Sequence, residues 1–208
     1  MIRIGILGDI GSGKSFVAKN FGFPVFNADQ EVNKLYTQNR KVFLKLRKKL
    51  PNSFTHYPIK KDQVIKSILS DKGNLKRIIK IIHPEVKKKM NFFIKKNRSK
   101  KFIILDIPLL LENNINRKKD ILVFVESKKK EVFKRLKKRR KFNLKIYRNF
   151  QKIQLSLDSK KKKSDFIIKN NFSKRSVKIQ IKSILKKIKN ERNNFRYWDN
   201  WYLCQRWT

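Results

Sequence analysis

Cysteine is nearly absent from this chain, since Cys204 is the only one among 208 residues. One thiol cannot form an intrachain disulfide, and it excludes a zinc site built from several cysteines. No apolar run approaches the roughly 18 residues that a membrane span needs. The first residues also lack the cationic stretch and apolar stretch of a signal peptide. We therefore expect a cytoplasmic protein that has no membrane partner.

Acidic residues are scarce as well: 15 Asp and Glu face 56 Lys and Arg, which gives a formal net charge of +41. Such an excess is typical of proteins that bind nucleic acids or anionic membranes. Another cause is compositional drift, because Lys outnumbers Arg 42 to 14 and alanine occurs only twice. The sequence is compatible with nonspecific polyanion binding, while no specific nucleic-acid partner is expected. It carries no signature of the oligomeric state.

What the sequence does contain is a phosphate-binding loop near its start. Residues 8–15 match Gly-x-x-x-x-Gly-Lys-Ser, between an apolar segment at 2–7 that predicts a strand and a short helical pattern at 16–21. Backbone N–H groups of such a loop, together with the helix N-terminus, favour a phosphate. Lys14 would reach the β- and γ-phosphates, and the Ser15 hydroxyl would hold Mg²⁺. The predicted nucleotide-binding residues are Gly11, Ser12, Gly13, Lys14, Ser15 and Phe16.

Short apolar runs and helical patterns alternate along the rest of the chain. Further strands are predicted at 23–26, 102–105, 121–125 and 166–168, and helices at 30–49, 60–97 in pieces, 128–140, 143–163 and 174–193. This alternation predicts an α/β fold of three αβα layers around a five-stranded parallel sheet. Right-handed crossovers would bring the carboxyl ends of all strands to one edge, together with the phosphate-binding loop.

The predicted domain organisation is one P-loop domain over 1–193 followed by an aromatic, basic tail at 194–208. The core comprises 1–33, 101–127 and 164–190. The segment 34–100 is too long for one crossover helix, so it predicts an inserted helical subdomain for the second substrate. A cation-rich insertion follows at 128–163. The tail holds all three tryptophans, which stack on bases, sit at a membrane interface or dock on the domain.

Two aspartates follow predicted strands and are candidates for chemistry. Asp29 would face the γ-phosphate as a proton acceptor or Mg²⁺ ligand, or else cap the helix that begins near Gln30. Asp106 ends its strand in the manner of a Walker B carboxylate, which orients Mg²⁺, although a simple strand-to-helix turn at Pro108 would look the same. Glu112 follows on the same segment.

Basic side chains supply a second set of candidates. Arg135 and Arg139 are four residues apart on a predicted helix and share one face. Two guanidinium groups there could clamp phosphate oxygens in a bidentate manner, but a solvated cationic face is the common alternative in so basic a chain. His83 has no second ligand nearby in the sequence, so it does not predict a metal site.

Together these motifs resemble the dephospho-CoA kinase family of P-loop kinases, over roughly residues 1–185. The resemblance is carried by residues 4–15, 23–29, 81–86, 105–112, Arg135 with Arg139, Gln154, and 164–171. Many families share the P-loop, whereas Asp-Ile-Pro-Leu-Leu-Leu-Glu with an upstream His-Pro and a downstream Ser-Asp-Phe-Ile-Ile is far more specific.

The resemblance implies transfer of the ATP γ-phosphate to the ribose 3′-hydroxyl of dephospho-CoA, the last step of coenzyme A biosynthesis. It implies ATP and Mg²⁺ as cofactors, a substrate subdomain at 34–100 and a lid at 128–163. The implied catalytic residues are Asp29, Lys14 and Arg139, with Arg135 on the nucleotide. The implied substrate residues are His83, Asp106 and Glu112, and the implied Mg²⁺ ligands are Ser15 and Asp106.

The chain departs from the family pattern at two informative positions. Asp9 stands in the loop where a small residue is usual, and it would repel phosphates unless it points outward or meets a cation. Asn27 replaces a usual Asp. The alternatives are a nucleoside monophosphate kinase of the same fold and, in another class, a nucleic-acid-binding P-loop ATPase. A GTPase is disfavoured because no Asn/Thr-Lys-x-Asp occurs to read guanine.

Overall fold

The computed structural model describes residues 1–138 and 143–204, and the side chains of 1–138 and 143–190. Its five strands form one parallel sheet in the order β2-β3-β1-β4-β5. The strands are β1 Ile2–Gly8, β2 Val25–Asn27, β3 Phe102–Asp106, β4 Ile121–Glu126 and β5 Phe166–Lys169. The predicted five-stranded parallel sheet is therefore confirmed.

Nine helices are described around this sheet. They are α1 Lys14–Asn20, α2 Ala28–Gln38, α3 Arg40–Lys49, α4 Lys61–Ser70, α5 Asn74–Lys96, α6 Lys129–Lys137, α7 Leu144–Lys152, α8 Leu157–Lys162 and α9 Lys174–Cys204. Among the described residues, no helix combines the length and apolar character that crossing a membrane would need. Side chains beyond 190 and residues 205–208, which include most of the predicted tail, lie outside the description.

Alternating side chains of the central strands build two separate cores. Ile4 and Ile6 of β1 pack with Val17 and Ala18 of α1 and with the apolar face of α9. Leu7 belongs to the opposite core, which is covered by α5 and by the segment after β3. Because both faces are covered, the central strands are apolar almost throughout, as parallel sheets require.

A third core lies within the helices that follow β2. Leu35 of α2, Leu46 of α3, Ile68 of α4 and Ile82 of α5 are buried together. These helices therefore bury apolar residues against one another, in the region where the sequence predicts a helical insertion.

Two predicted helices are divided in the structure. The predicted helix at 30–49 is interrupted at Asn39, whose backbone is extended (φ −113°, ψ 93°) and whose side chain accepts a hydrogen bond from Val42 N. The predicted helix at 143–163 consists of α7 and α8, since Ser156 caps a new helix by accepting from Ser159 N. In each case a side chain that competes for backbone N–H groups starts the second helix.

Candidate active site

The phosphate-binding loop connects β1 to α1 at the carboxyl edge of the sheet. Gly8, Gly11 and Gly13 all have positive φ, as the tight turn requires. Gly13 is also confined sterically, because a Cβ there would clash with Asn170 Nδ2. Glycine is therefore needed at Gly13 for two reasons, one conformational and one steric.

Two neighbouring segments hold the loop in place. The Asn170 side chain donates to the Ser12 carbonyl oxygen (2.8 Å), and the Ser127 hydroxyl donates to the same oxygen (2.9 Å). Ser12 itself is only 1% exposed and does not line the cavity described below. Ser12 is therefore an exception among the predicted nucleotide-binding residues, because its side chain is buried in the protein and does not line the cavity.

Lys14 begins α1 and lies against the carbonyl oxygens of its own loop. Its Nζ donates to Gly8 O (3.1 Å) and Asp9 O (2.6 Å). Burial and the charge of Lys160 lower the pKa of Lys14, the carboxylates of Asp106, Asp9 and Asp29 partly offset these effects, and the resulting pKa is about 8. Three carboxylates and a buried second lysine thus lie within electrostatic reach of this amine.

Asp9, the unusual residue of the loop, is tied to its own backbone. Its Oδ1 accepts a hydrogen bond from Ile10 N at 2.7 Å, and its charge favours the protonated form of Lys14. Repulsion between Asp9 and phosphates would be relieved if Asp9 pointed outward or lay near a cation. The structure thus provides the second arrangement, a nearby cation. Asp9 is not among the residues that line the adjoining cavity.

Asn27 links the two predicted Mg²⁺ ligands. Its Nδ2 lies 2.5 Å from Asp106 Oδ2 and 3.4 Å from Ser15 Oγ. Its Oδ1 accepts from Gln30 N at 2.8 Å, which makes Asn27 the N-cap of α2. The alternative that Asp29 caps this helix is therefore wrong, because Asp29 lies inside the first turn and the residue two positions earlier supplies the cap.

A cavity of about 260 Å³ opens beside the loop. It is lined by Ile10, Gly11, Gly13, Lys14, Ser15, Phe16, Asp29, Asp106, Pro108, Arg135 and Phe172. Most of the predicted nucleotide residues therefore share one cavity with both aspartates and with Arg135. Arg139 falls among residues 139–142, outside the described part of the chain.

Arg135 is oriented by an aromatic ring that no motif in the sequence indicates. Its guanidinium carbon lies 4.0 Å from the ring centroid of Phe172, within the range of a cation–π contact. Phe172 has a positive φ of 63°, an uncommon conformation for an aromatic residue. The only signal in the sequence is the position of Phe172, which follows Asn170-Asn171 just after β5.

A larger cavity of about 830 Å³ lies between α2, α4, α5 and the segment after β3. Its walls are mainly aliphatic and include Val32, Val64, Ile68, Ile78, Ile82 and Met90. His83 and Gln154 also line it, and burial lowers the pKa of His83, which favours the neutral ring. Asp29 and Pro108 line both cavities, so the two spaces meet at Asp29.

Glu112 occupies a different environment from the one the resemblance implies. Its Oε1 lies 2.9 Å from Lys160 Nζ and accepts from Leu155 N at 2.9 Å. Lys160, which is 1% exposed, also donates to Gln154 Oε1 (3.0 Å). Glu112 does not belong to the described residues that line either cavity. Its hydrogen bond from Leu155 N holds the segment before α8. Glu112 is connected to the larger cavity only through Lys160, which donates to Gln154, a residue that lines that cavity.

Comparison with known proteins gives a consistent result. The family model for dephospho-CoA kinase matches residues 2–175. A dephospho-CoA kinase of Wolbachia pipientis wMel is 35% identical over 191 residues, which cover 88% of this chain and 95% of that one. A dephospho-CoA kinase of Ehrlichia canis is 32% identical over 199 residues, covering 93% and 99%.

Solved structures share the fold. The Thermus thermophilus protein TT1252 has a TM-score of 0.69 at 24% identity, covering 89% of this chain and 97% of that one. A dephospho-CoA kinase of Campylobacter jejuni has a TM-score of 0.58 at 22% identity, covering 89% and 96%. Since the family model spans most of the sequence and contains the phosphate-binding loop with both aspartates, this chain belongs to the dephospho-CoA kinase family.

Proposed function

We propose that this chain transfers the γ-phosphoryl group of ATP to the ribose 3′-hydroxyl of dephospho-CoA, with Asp29 as the base. The observation that carries the proposal is the position of Asp29, where a small polar cavity beside the phosphate loop meets a large apolar one. ATP phosphates fit the first, since it is lined by Lys14 and Arg135. An acceptor with a long, mostly uncharged arm fits the second.

The reaction needs little covalent chemistry from the protein. Asp29 accepts the proton of the 3′-hydroxyl, the hydroxyl oxygen bonds to the γ-phosphorus, and the bond from that phosphorus to the β-phosphate oxygen breaks, releasing ADP. Lys14 and Arg135 balance the negative charge of the transferred group, and the glycine loop positions it. Arg139, four residues after Arg135 in the sequence, is proposed to add a second guanidinium.

The residues at the phosphate loop also suit Mg²⁺. Asp106 and Ser15 offer a carboxylate and a hydroxyl oxygen held by one amide, that of Asn27. Mg²⁺ prefers such oxygen donors and is typically held by one or two carboxylates with the substrate phosphates. When bound, the ion would neutralise charge on the β- and γ-phosphates. Ser15 and Asp106 are its proposed ligands.

ADP release from ATP, measured with dephospho-CoA, AMP, CMP or no acceptor, tests the proposal. We expect strong stimulation by dephospho-CoA, with NMR placing the new phosphate on the 3′-oxygen. Stimulation by AMP or CMP alone would instead identify a nucleoside monophosphate kinase. Lack of stimulation by every acceptor would overturn the proposal.

The role of Asp29 has its own test. Asp29→Asn keeps the shape of the side chain but removes its basicity, so turnover should fall by about 10²–10⁴-fold. The Kd of ATP should stay nearly unchanged. The matched control is Asp71→Asn, because Asp71 is an exposed carboxylate that lines neither cavity. An equal loss of turnover and ATP binding in Asp29→Asn would point to a structural or metal-binding role.

A further inference from the structure

Phe172 adopts a backbone conformation that an aromatic side chain disfavours. Its φ of 63° lies in the left-handed region, where glycine, asparagine and aspartate are the usual residues. Asn170 holds this turn, because its Oδ1 accepts from Phe172 N at 2.9 Å and its Nδ2 donates to Ser12 O at 2.8 Å. Strained conformations persist only where surrounding contacts hold them, and they cluster at functional sites. The contacts of the Phe172 ring therefore point to a function for this residue.

The Phe172 ring lies between the phosphate loop and the guanidinium group of Arg135. A Cβ on Gly13 would lie 2.9 Å from a carbon of this ring, so the ring borders the loop directly. The guanidinium carbon of Arg135 lies 4.0 Å from the ring centroid, which is a cation–π contact. Both side chains line the cavity of about 260 Å³. One aromatic ring thus connects the loop with a cation on the wall of the same cavity.

Helix α6 fixes the backbone of Arg135 but not the course of its side chain. Val132 and Leu136 of this helix are buried, and a Cβ on Gly11 would lie 3.1 Å from the first and 2.9 Å from the second. Arg135 itself is exposed, and a free arginine side chain samples many rotamers. A ligand that had to order this side chain would bind less tightly. A partner that orders Arg135 beforehand removes this loss.

An aromatic ring suits this task better than a carboxylate. A carboxylate partner accepts hydrogen bonds from the guanidinium group and compensates its charge, as Asp71 does for Arg77 at 3.1 Å. The face of a ring attracts the cation through its quadrupole and leaves the five N–H donors of the group available. Arg135 therefore keeps both its charge and its donors for an anionic ligand in the cavity.

We propose that Phe172 is a positioning residue, which holds Arg135 toward the ATP site before ATP binds. This inference rests on the proposed function, which assigns Arg135 to the phosphates of ATP. Because the Arg135 side chain is ordered when the protein folds, less conformational entropy is lost when ATP arrives. The strained φ of Phe172 is the conformational cost of placing a ring at this point of the segment after β5.

The test is a double-mutant cycle on the Kd of ATP, measured by calorimetry at about 150 mM KCl to screen nonspecific binding. Phe172→Leu keeps an apolar side chain and the same demand on φ, but it has no ring. In otherwise wild-type protein it should raise the Kd about two- to fivefold. In Arg135→Gln it should leave the Kd unchanged, because no guanidinium remains to be held. Phe172→Tyr, which keeps the ring, should bind ATP like the wild type.

The matched control is Phe133→Leu, on the same helix as Arg135. Phe133 and Lys137 form another cation–π contact, at 5.0 Å, and neither residue lines the cavity. The Kd of ATP for this variant should equal that of the wild type. If Phe172→Leu does not fold, Phe172→Gly replaces it, since glycine adopts a positive φ without strain. Phe172→Gly should raise the Kd by a similar factor.

The cycle separates positioning from other roles of the ring. An equal rise of the Kd in both backgrounds would show that the ring acts on the base of ATP or on the loop, which would overturn the proposal. No rise in wild-type protein, tighter binding by Phe172→Leu, or the same rise in Phe172→Tyr would overturn it as well. The Kd needs no acceptor. If dephospho-CoA is not phosphorylated, or if Arg135→Gln alone leaves the Kd unchanged, the proposed function fails instead, so the failures are distinguishable.

Discussion

At the scale of single residues, burial changes the protonation of Lys14, the amine that we propose binds the phosphates of ATP. The pKa of Lys14 is lowered to about 8, so the free protein holds this lysine protonated below that pH and loses the charge above it. ATP binds the protonated amine better than the neutral one. The affinity of ATP should therefore weaken as the pH rises through about 8, by up to about tenfold per unit.

Calorimetric Kd values for ATP across this range would check the pH dependence. The control is Lys14→Arg, because a guanidinium stays protonated throughout and its profile should be flat even if its affinity is lower overall. Wild-type affinity that holds constant up to about pH 9.5 would contradict the lowered pKa.

At the scale of structural elements, one buried ion pair, between Lys160 and Glu112, fastens α8 to the segment after β3. Lys160→Met would leave the Glu112 carboxylate buried without its cation, and Glu112 Oε2 already has no partner among the described side chains. The free energy of unfolding should therefore fall by about 3–5 kcal/mol. Adding Glu112→Gln, which keeps an oxygen for Leu155 N, should restore part of the loss.

The matched control for this pair is the next residue in the chain. Lys161 forms an ion pair with Glu126 in which the two side chains are 44% and 37% exposed. Lys161→Met should lower the free energy of unfolding by less than about 1 kcal/mol. Urea unfolding of both variants makes the comparison, and equal costs would show that burial of Lys160 contributes nothing special.

The ion pair of Lys160 with Glu112 also shows which features the sequence can predict and which it cannot. The five strands were predicted because buried parallel strands are continuous apolar runs, a signal contained within each run. The phosphate loop and Asp106 were predicted because their spacing is local. Nothing local in the sequence distinguishes Lys160, since it begins a run of four lysines and only tertiary packing separates it from the exposed ones. The role of Asn27 as a link between Ser15 and Asp106 likewise depends on tertiary contacts, so the sequence shows Asn27 only as a departure from the family pattern.

At the scale of the whole molecule, charge is the unusual quantity. At most 15 of the 56 basic side chains can pair one-to-one with an acidic one, so the compact state confines a large excess of like charge. Self-repulsion of this kind lowers stability and is screened by salt. The free energy of unfolding in urea, a neutral denaturant, should therefore rise as NaCl increases from about 20 mM to about 300 mM.

Binding of polyanions tests whether this charge has a selected role. If the lysines reflect composition alone, unrelated single-stranded RNA and duplex DNA should bind with similar affinity. The logarithm of that affinity should fall linearly with the logarithm of salt concentration, because counterion release would supply nearly all of the binding free energy. Fluorescence anisotropy at several KCl concentrations would measure both slopes. Affinity that persists at about 300 mM KCl, or that prefers one sequence, requires contacts beyond charge. That result would favour a nucleic-acid partner over compositional drift.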